Sequence, residues 1–170
     1  MLNKKISELL NDQFNKEMYS AYLYLDYANY YHEQGLDGFA NWYDIQAQEE
    51  RDHAMLIRSY LHNNGEKLAL EAIEKPSGVY RSIEEPLRLA LQHERYITDQ
   101  INQIYKAADK VNDYRSMQFL DWFVKEQGEE EKNSEDLIRK FELFGNEAKG
   151  LYALNQELLA RRYAAPSLVL

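Results

Sequence analysis

Four stretches of this chain place apolar residues at helical spacing, and each breaks its own pattern at the centre with a glutamate. The first runs Ile6, Leu9, Leu10, Phe14, Glu17, Ala21, Tyr24 and Ala28, in steps of three and four that mark one face of an α-helix. The second runs Phe39, Tyr43, Gln46, Glu50, His53, Ile57, Tyr60 and Leu61. The third is Ile83, Leu87, Ala90, Glu94, Ile97, Ile101, Ile104 and Ala108, with Glu94 the one charge on an aliphatic face. The fourth is Leu120, Phe123, Gln127, Glu130, Ser134, Leu137, Phe141 and Phe144. Stripes of this kind fold by covering one another, which makes the chain an all-α bundle. Glutamate is almost never fully buried without a partner charge, and a metal ion is the simplest one for four carboxylates at matching depth. Any one of the four alone would read as a boundary residue reaching solvent; their coincidence argues otherwise.

Connection lengths set the topology. Gln34 to Gly38 is short and holds two glycines, so the first two helices are antiparallel neighbours, and Lys110 to Asp113 joins the third and fourth in the same way. Between the second and third lie about eighteen residues, Gly65 to Ser82, with Pro76 and Gly78 inside and a capping box of Ser82 with Glu85 at the end. Eighteen extended residues reach about 59 Å and a helix of about 28 residues is about 42 Å long, so this segment can cross the bundle lengthwise. The predicted order is up, down, down, up with one long crossover. Gly145 and Gly150 set off a shorter apolar segment, Leu151, Leu154, Leu158 and Leu159, read as a fifth helix. The expected organisation is a single domain, 1–170, with the bundle over about 4–144 and the fifth helix and tail over 146–170.

Composition removes several classes of function. A chain of 170 residues with 45% hydrophobic content suits one core. It has no Cys, which excludes disulfides, thiolate metal sites and iron-sulfur clusters and fits a reducing, cytoplasmic setting. A net charge of −9 argues against nucleic acid as a partner and is compatible with handling cations. No apolar run approaches the ~18 residues of a membrane span, and the first residues, with Glu8, Asn11 and Asp12, are too polar for a signal-peptide core.

With the helix midpoints aligned, Glu17, Glu50, Glu94 and Glu130 meet. Glu50 and His53, three residues apart, project about 60° from one another and can grip one ion. Carboxylates around an imidazole suit iron or manganese, with zinc also compatible. Tyr24 and Gln127 lie beside these positions, either as metal-centre neighbours or as a core aromatic and a structural amide. Glu49, Glu126 and Glu129 adjoin the set; the run Glu126 to Glu131 reads as a solvated acidic face, with a third, weaker cation site as the alternative. Gly128 within this run costs about 1 kcal/mol relative to Ala in a helix and hints at close packing or a distortion there. His32, His62 and His93 lack a carboxylate at the matching offset and read as surface or packing residues.

On these residues the whole chain resembles the bacterial-type non-haem ferritins. The resemblance implies a ferritin-like four-helix bundle with a short fifth helix. It also implies a first iron held by Glu17, Glu50 and His53, a second by Glu50, Glu94 and Glu130, and a third site at Glu49, Glu126, Glu129 and Glu130. Tyr24, Gln127 and Trp122 stand where such ferritins keep residues near the diiron centre. By the same resemblance the chain would oxidise Fe(II) to Fe(III) with dioxygen and store ferric mineral inside a twenty-four-subunit shell, its fifth helix at the four-fold axes. Bacterioferritin would place Met at 52 and His at 130; here stand Asp52 and Glu130, so no haem is expected.

Overall fold

The first helix, α1, spans Lys4–Glu33 and begins where the side chain of Asn3 accepts the Lys5 N–H at 2.9 Å. It is followed by α2 (Asp37–Asn63), α3 (Glu85–Lys110), α4 (Tyr114–Phe144) and α5 (Ala148–Leu159). These elements belong to a computed structural model that describes residues 2–76 and 78–169; Met1, Ser77 in the crossover and Leu170, the last residue of the apolar tail, lie outside the described residues. Among the described residues there is no strand, and no helix is long and apolar enough to cross a membrane.

The two expected tight turns form. Gly35 (φ 72°) takes the left-handed conformation that closes α1, and Asn112 (φ 55°) does the same between α3 and α4. Gly38 is different from the turn residue the spacing predicts. It lies inside α2, where an added Cβ would stand 1.7 Å from the carbonyl oxygen of Asn155, so its bareness admits α5. Oδ1 of Asn155 in turn accepts the N–H groups of Gly38 at 2.7 Å and Phe39 at 3.3 Å, capping a helix whose own N-cap, Leu36, has no side chain to do so.

The crossover climbs α1 from end to end. Glu66 accepts from Ser7, Ala69 and Glu71 bond Asn11 and Asn15, Gly78 donates to Asp26 at 3.1 Å, and the carbonyl of Ile83 accepts the Tyr31 hydroxyl at 2.7 Å. Successive partners therefore advance along α1, which starts α3 at the end where α2 started and makes the two parallel. Three local expectations need correction. The Ser82 hydroxyl does accept from Glu85 N–H, but the Glu85 carboxylate takes the N–H of Arg81 instead of Ser82, because α3 starts later, with Pro86 in its first turn. Gly150 is no stop; it sits in the first turn of α5, where a Cβ would lie 2.2 Å from the Phe144 oxygen. Gly128 is exposed mid-helix with nothing within 4 Å of its Cβ position, so neither close packing nor distortion explains it.

The apolar core comes in two parts. One contains Tyr24, Tyr27, Tyr31, Phe39, Tyr43, Leu87, Leu137 and Phe141 and is capped by Leu154 and Leu158 of α5. The other contains Ile6, Leu10, Phe14, Ala54, Ile57, Ile97, Ile101, Ile104, Phe119 and Phe123. Each fully buried aliphatic or aromatic side chain contributes roughly 1.5–3 kcal/mol. A polar belt divides the two.

Candidate metal centre

All four stripe glutamates are buried in that belt: Glu17, Glu50 and Glu94 are 1% exposed and Glu130 is 4% exposed. His53 and Gln127 are buried with them, and so are Gln13 and Gln46, which the stripes passed over as site residues. Each glutamate comes from a different one of the helices α1 to α4, so the bundle itself carries them to one level.

Glu17, Glu50 and His53 form the tightest group, with one ligand atom from each lying within 4.8 Å of the others. Nδ1 of His53 stands 3.3 Å from Oε2 of Glu50 without making a hydrogen bond. That nitrogen, Oε2 of Glu17 and Oε1 of Glu50 are buried and lack any partner. Buried polar atoms are ordinarily satisfied, and an orphan of this kind costs about 1–3 kcal/mol. Three residues whose ligand atoms gather this closely, each with an orphaned buried atom, fit a cation of the kind that hard oxygen and imidazole donors hold.

Glu94 and Glu130 border this group and are engaged otherwise. Glu94 accepts from the Tyr24 hydroxyl and from Nε2 of Gln127 at 3.1 Å. Glu130 accepts from Nε2 of Gln46 at 2.8 Å, and Glu17 from Nε2 of Gln13 at 2.7 Å. Each carboxylate is thus oriented by a donor; Glu17 and Glu130 keep one oxygen free of any side-chain donor, while both oxygens of Glu94 are engaged. Gln13 and Glu17 are four residues apart on one helix face, as are Gln46 and Glu50, a signal that would have found both glutamines.

Electrostatics point the same way. Burial pushes the carboxyl of Glu94 up to about 7 and that of Glu130 up to about 8. Glu50 is driven well above the usual carboxylate range by burial first and then by the charges of Glu94, Glu17 and Glu130; burial also raises Glu17. Burial, with Glu94 and Glu50 beside it, raises the Tyr24 phenol and keeps it a donor. A cation bound here would reverse this, holding the carboxylates ionised.

The outer acids are dispersed. Glu126 brings Oε1 to 4.0 Å from Nε2 of His53, Glu49 is ion-paired with Arg161 at 2.7 Å, and Glu129 is exposed, 3.4 Å from Lys125. None of the three joins a ligand group among the described residues. Trp122 packs edge-on against His53, ring centroids 5.4 Å apart. His93 is a packing residue among Tyr19, Tyr24 and Tyr96, with Ser20 at 2.7 Å, while His32 and His62 lie on the surface. Arg161 had no periodic signal in the sequence, because it lies beyond the last helix.

Comparison with known proteins agrees with this architecture. The ferritin-like domain family model matches residues 7–144, the span of α1 to α4. A probable bacterial non-heme ferritin-like protein of Haemophilus influenzae is 35% identical over 158 residues, covering 93% of this chain and 96% of its own. The bacterial non-heme ferritin of Staphylococcus epidermidis is 36% identical over 163 residues, covering 96% and 98%. Among solved structures, an engineered closed form of the Archaeoglobus fulgidus ferritin superposes with a TM-score of 0.94 at 36% identity, over 96% of this chain and 100% of that one. The open-pore ferritin of the same archaeon superposes at 0.93, also 36% identical, over 95% and 100%. With its four long helices matched by the family model and its relatives aligned over nearly their whole length, the chain belongs to the ferritin family of ferritin-like domains.

Proposed function

We propose that this chain stores and detoxifies iron by oxidising Fe(II) with dioxygen at a diiron centre inside each subunit and holding the ferric product as mineral in a hollow homo-oligomeric shell. The observation that carries the reading is the group of orphaned buried atoms on Glu17, Glu50 and His53, at the heart of a ferritin-like bundle.

Iron is the substrate. Glu17 and His53 bind the first Fe(II), Glu94 and Glu130 the second, and Glu50 bridges them. Gln13, Gln46 and Gln127 keep the carboxylates oriented through their amide donors. Hard anionic oxygens favour Fe(III) over Fe(II) and so help drive electron loss. Two Fe(II) give one electron each to dioxygen, which takes up two protons and leaves as hydrogen peroxide, with no superoxide released. Tyr24, bonded to Glu94, and Trp122, packed on His53, stand beside the centre and would supply a third electron only where a single dioxygen is reduced beyond peroxide. Ferric ions then pass toward the cavity by way of Glu126, with Glu49 and Glu129 as further carboxylates on the route. The chain acts as a single domain, 1–170, in a twenty-four-subunit cytoplasmic shell without haem, nucleic acid or membrane.

The test adds Fe(II) aerobically to wild type and to the Glu50→Ala/His53→Ala double variant and follows the rise in ferric absorbance. Wild type should show a fast initial phase that the variant lacks; equal initial rates would sink the assignment. Light scattering on the same samples reads the shell directly.

A further inference from the structure

Beyond α5 the chain turns back across the bundle instead of leaving it. Nδ2 of Asn41 donates to the carbonyls of Leu158 at 3.1 Å and Arg161 at 3.3 Å. Arg161 then does three things at once. Its Nη1 donates to the Trp42 carbonyl at 3.2 Å, its guanidinium lies 4.0 Å from the centroid of the Trp42 ring, and its Nη2 meets Oε2 of Glu49 at 2.7 Å. Further on, Tyr163 donates to Asp52 at 2.5 Å and Ser167 accepts from Nε1 of Trp122 at 3.0 Å. Leu168 packs onto the Ile6 to Phe123 half of the core.

These contacts trace a path from Trp42, Glu49 and Asp52 on α2 to Trp122 on α4. The backbones of α2 and α4 do not approach closely, so the segment lies in the furrow they leave, on the side where Glu126 faces Nε2 of His53. A planar, weakly hydrated guanidinium suits this place, since it can stack on an indole and fork to a carboxylate together. Both side chains of the Arg161 and Glu49 pair are only 18% exposed, which screens them less than an ordinary surface pair.

We propose that Arg161 is an internal counter-cation plugging the outer carboxylate Glu49, so that the 160–168 segment competes with external divalent cations for that position. The competition rests on the iron-handling reading only in making the plugged acid a stage on the route from His53. An incoming cation must bind the fraction of molecules with the segment lifted, and its apparent affinity falls by that fraction. The device sets a threshold. At low metal Glu49 stays closed by the chain itself; at high metal it exchanges Arg161 for a cation and the furrow opens.

The experiment uses Co(II) as probe, titrated calorimetrically into the assembled protein under nitrogen. Arg161→Gln should gain a further, weaker Co(II) site per chain relative to wild type, or strengthen one by about tenfold, the scale of removing a partly buried competitor charge. Adding Glu49→Gln to that variant should abolish the gain. Unchanged binding in Arg161→Gln, or a gain that survives Glu49→Gln, overturns the proposal. In a Glu17→Gln/Glu50→Gln background the inner cations should vanish while the gain from Arg161→Gln persists. A wild type without inner Co(II) would defeat the diiron reading and leave this one standing. Should Arg161→Gln fail to fold, hydrogen exchange decides. Excess Co(II) should speed exchange across 163–168 in wild type and leave Glu49→Gln unaffected; no change in wild type counts against the plug.

Discussion

Nε2 of Gln46 on α2 donates to Oε2 of Glu130 on α4 at 2.8 Å, linking two helices whose backbones stay apart. The bond is buried, and it fixes which oxygen of Glu130 remains for a cation. Gln46→Leu should destabilise the metal-free protein by about 1–3 kcal/mol, because a buried carboxyl then lacks its donor. With Co(II) bound the loss should shrink, since the ion takes over the partner role. Thermal melts with and without Co(II) measure the difference.

The raised carboxyls make a prediction about pH. In the folded chain Glu94 and Glu130 keep protons up to about 7 and about 8, which the unfolded chain has already released. Unfolding therefore releases protons in this range, and stability falls as pH rises. His93 opposes the trend lower down, because burial pushes it to about 4 from 6.5, so its contribution grows with pH and is complete near 6.5. Between pH 6.5 and about 8.5 the melting temperature of metal-free protein should thus decline, and saturating Co(II) should flatten the slope. A flat metal-free profile would contradict the buried-carboxyl account.

Gly38 offers a third check, on assembly. A methyl group there must displace the Asn155 backbone, whose oxygen lies 1.7 Å from the Cβ position. Gly38→Ala should detach α5 and uncap α2 while leaving the α1 to α4 bundle folded. Hydrogen exchange should rise in 148–159 and at the start of α2, and scattering should show whether the shell survives.

What the sequence could reveal follows from how each feature is built. Helical period, linker length and the central glutamates are local or additive, so the bundle and its parallel α2 and α3 were legible, and Glu17, Glu50 and His53 do meet. Gly38 was read as a turn because its constraint comes from Asn155, far along the chain. Gly128 suggested packing where there is open space. Arg161 escaped because nothing in a nonperiodic tail says which furrow it will enter; only the fold brings it to Glu49. Gln13 and Gln46 were visible at a spacing of four from Glu17 and Glu50, yet an amide in a stripe carries no charge to provoke the question that the glutamates raised.

Glu50 allows the sharpest separation of stability from function. It is buried beside Glu17 and within the field of Glu94 and Glu130, and burial with those charges drives its carboxyl well above the usual range. Such an arrangement costs stability in the metal-free protein, and a cation bound there would relieve it. Glu50→Gln keeps the shape and removes the ionisable group, so folding no longer has to take up a proton there. In the absence of metal it should melt higher than wild type, by several degrees, about the shift expected from 1 to 2 kcal/mol in a chain of this size. Adding Co(II) should raise the wild-type melting temperature strongly and the variant's little, because Gln lacks the anionic oxygen proposed to bridge two cations. The two curves should therefore cross as Co(II) increases. If Glu50→Gln were less stable than wild type without metal, the carboxylate would be a structural member of the belt, and the case for a cation at Glu17, Glu50 and His53 would lose its main support.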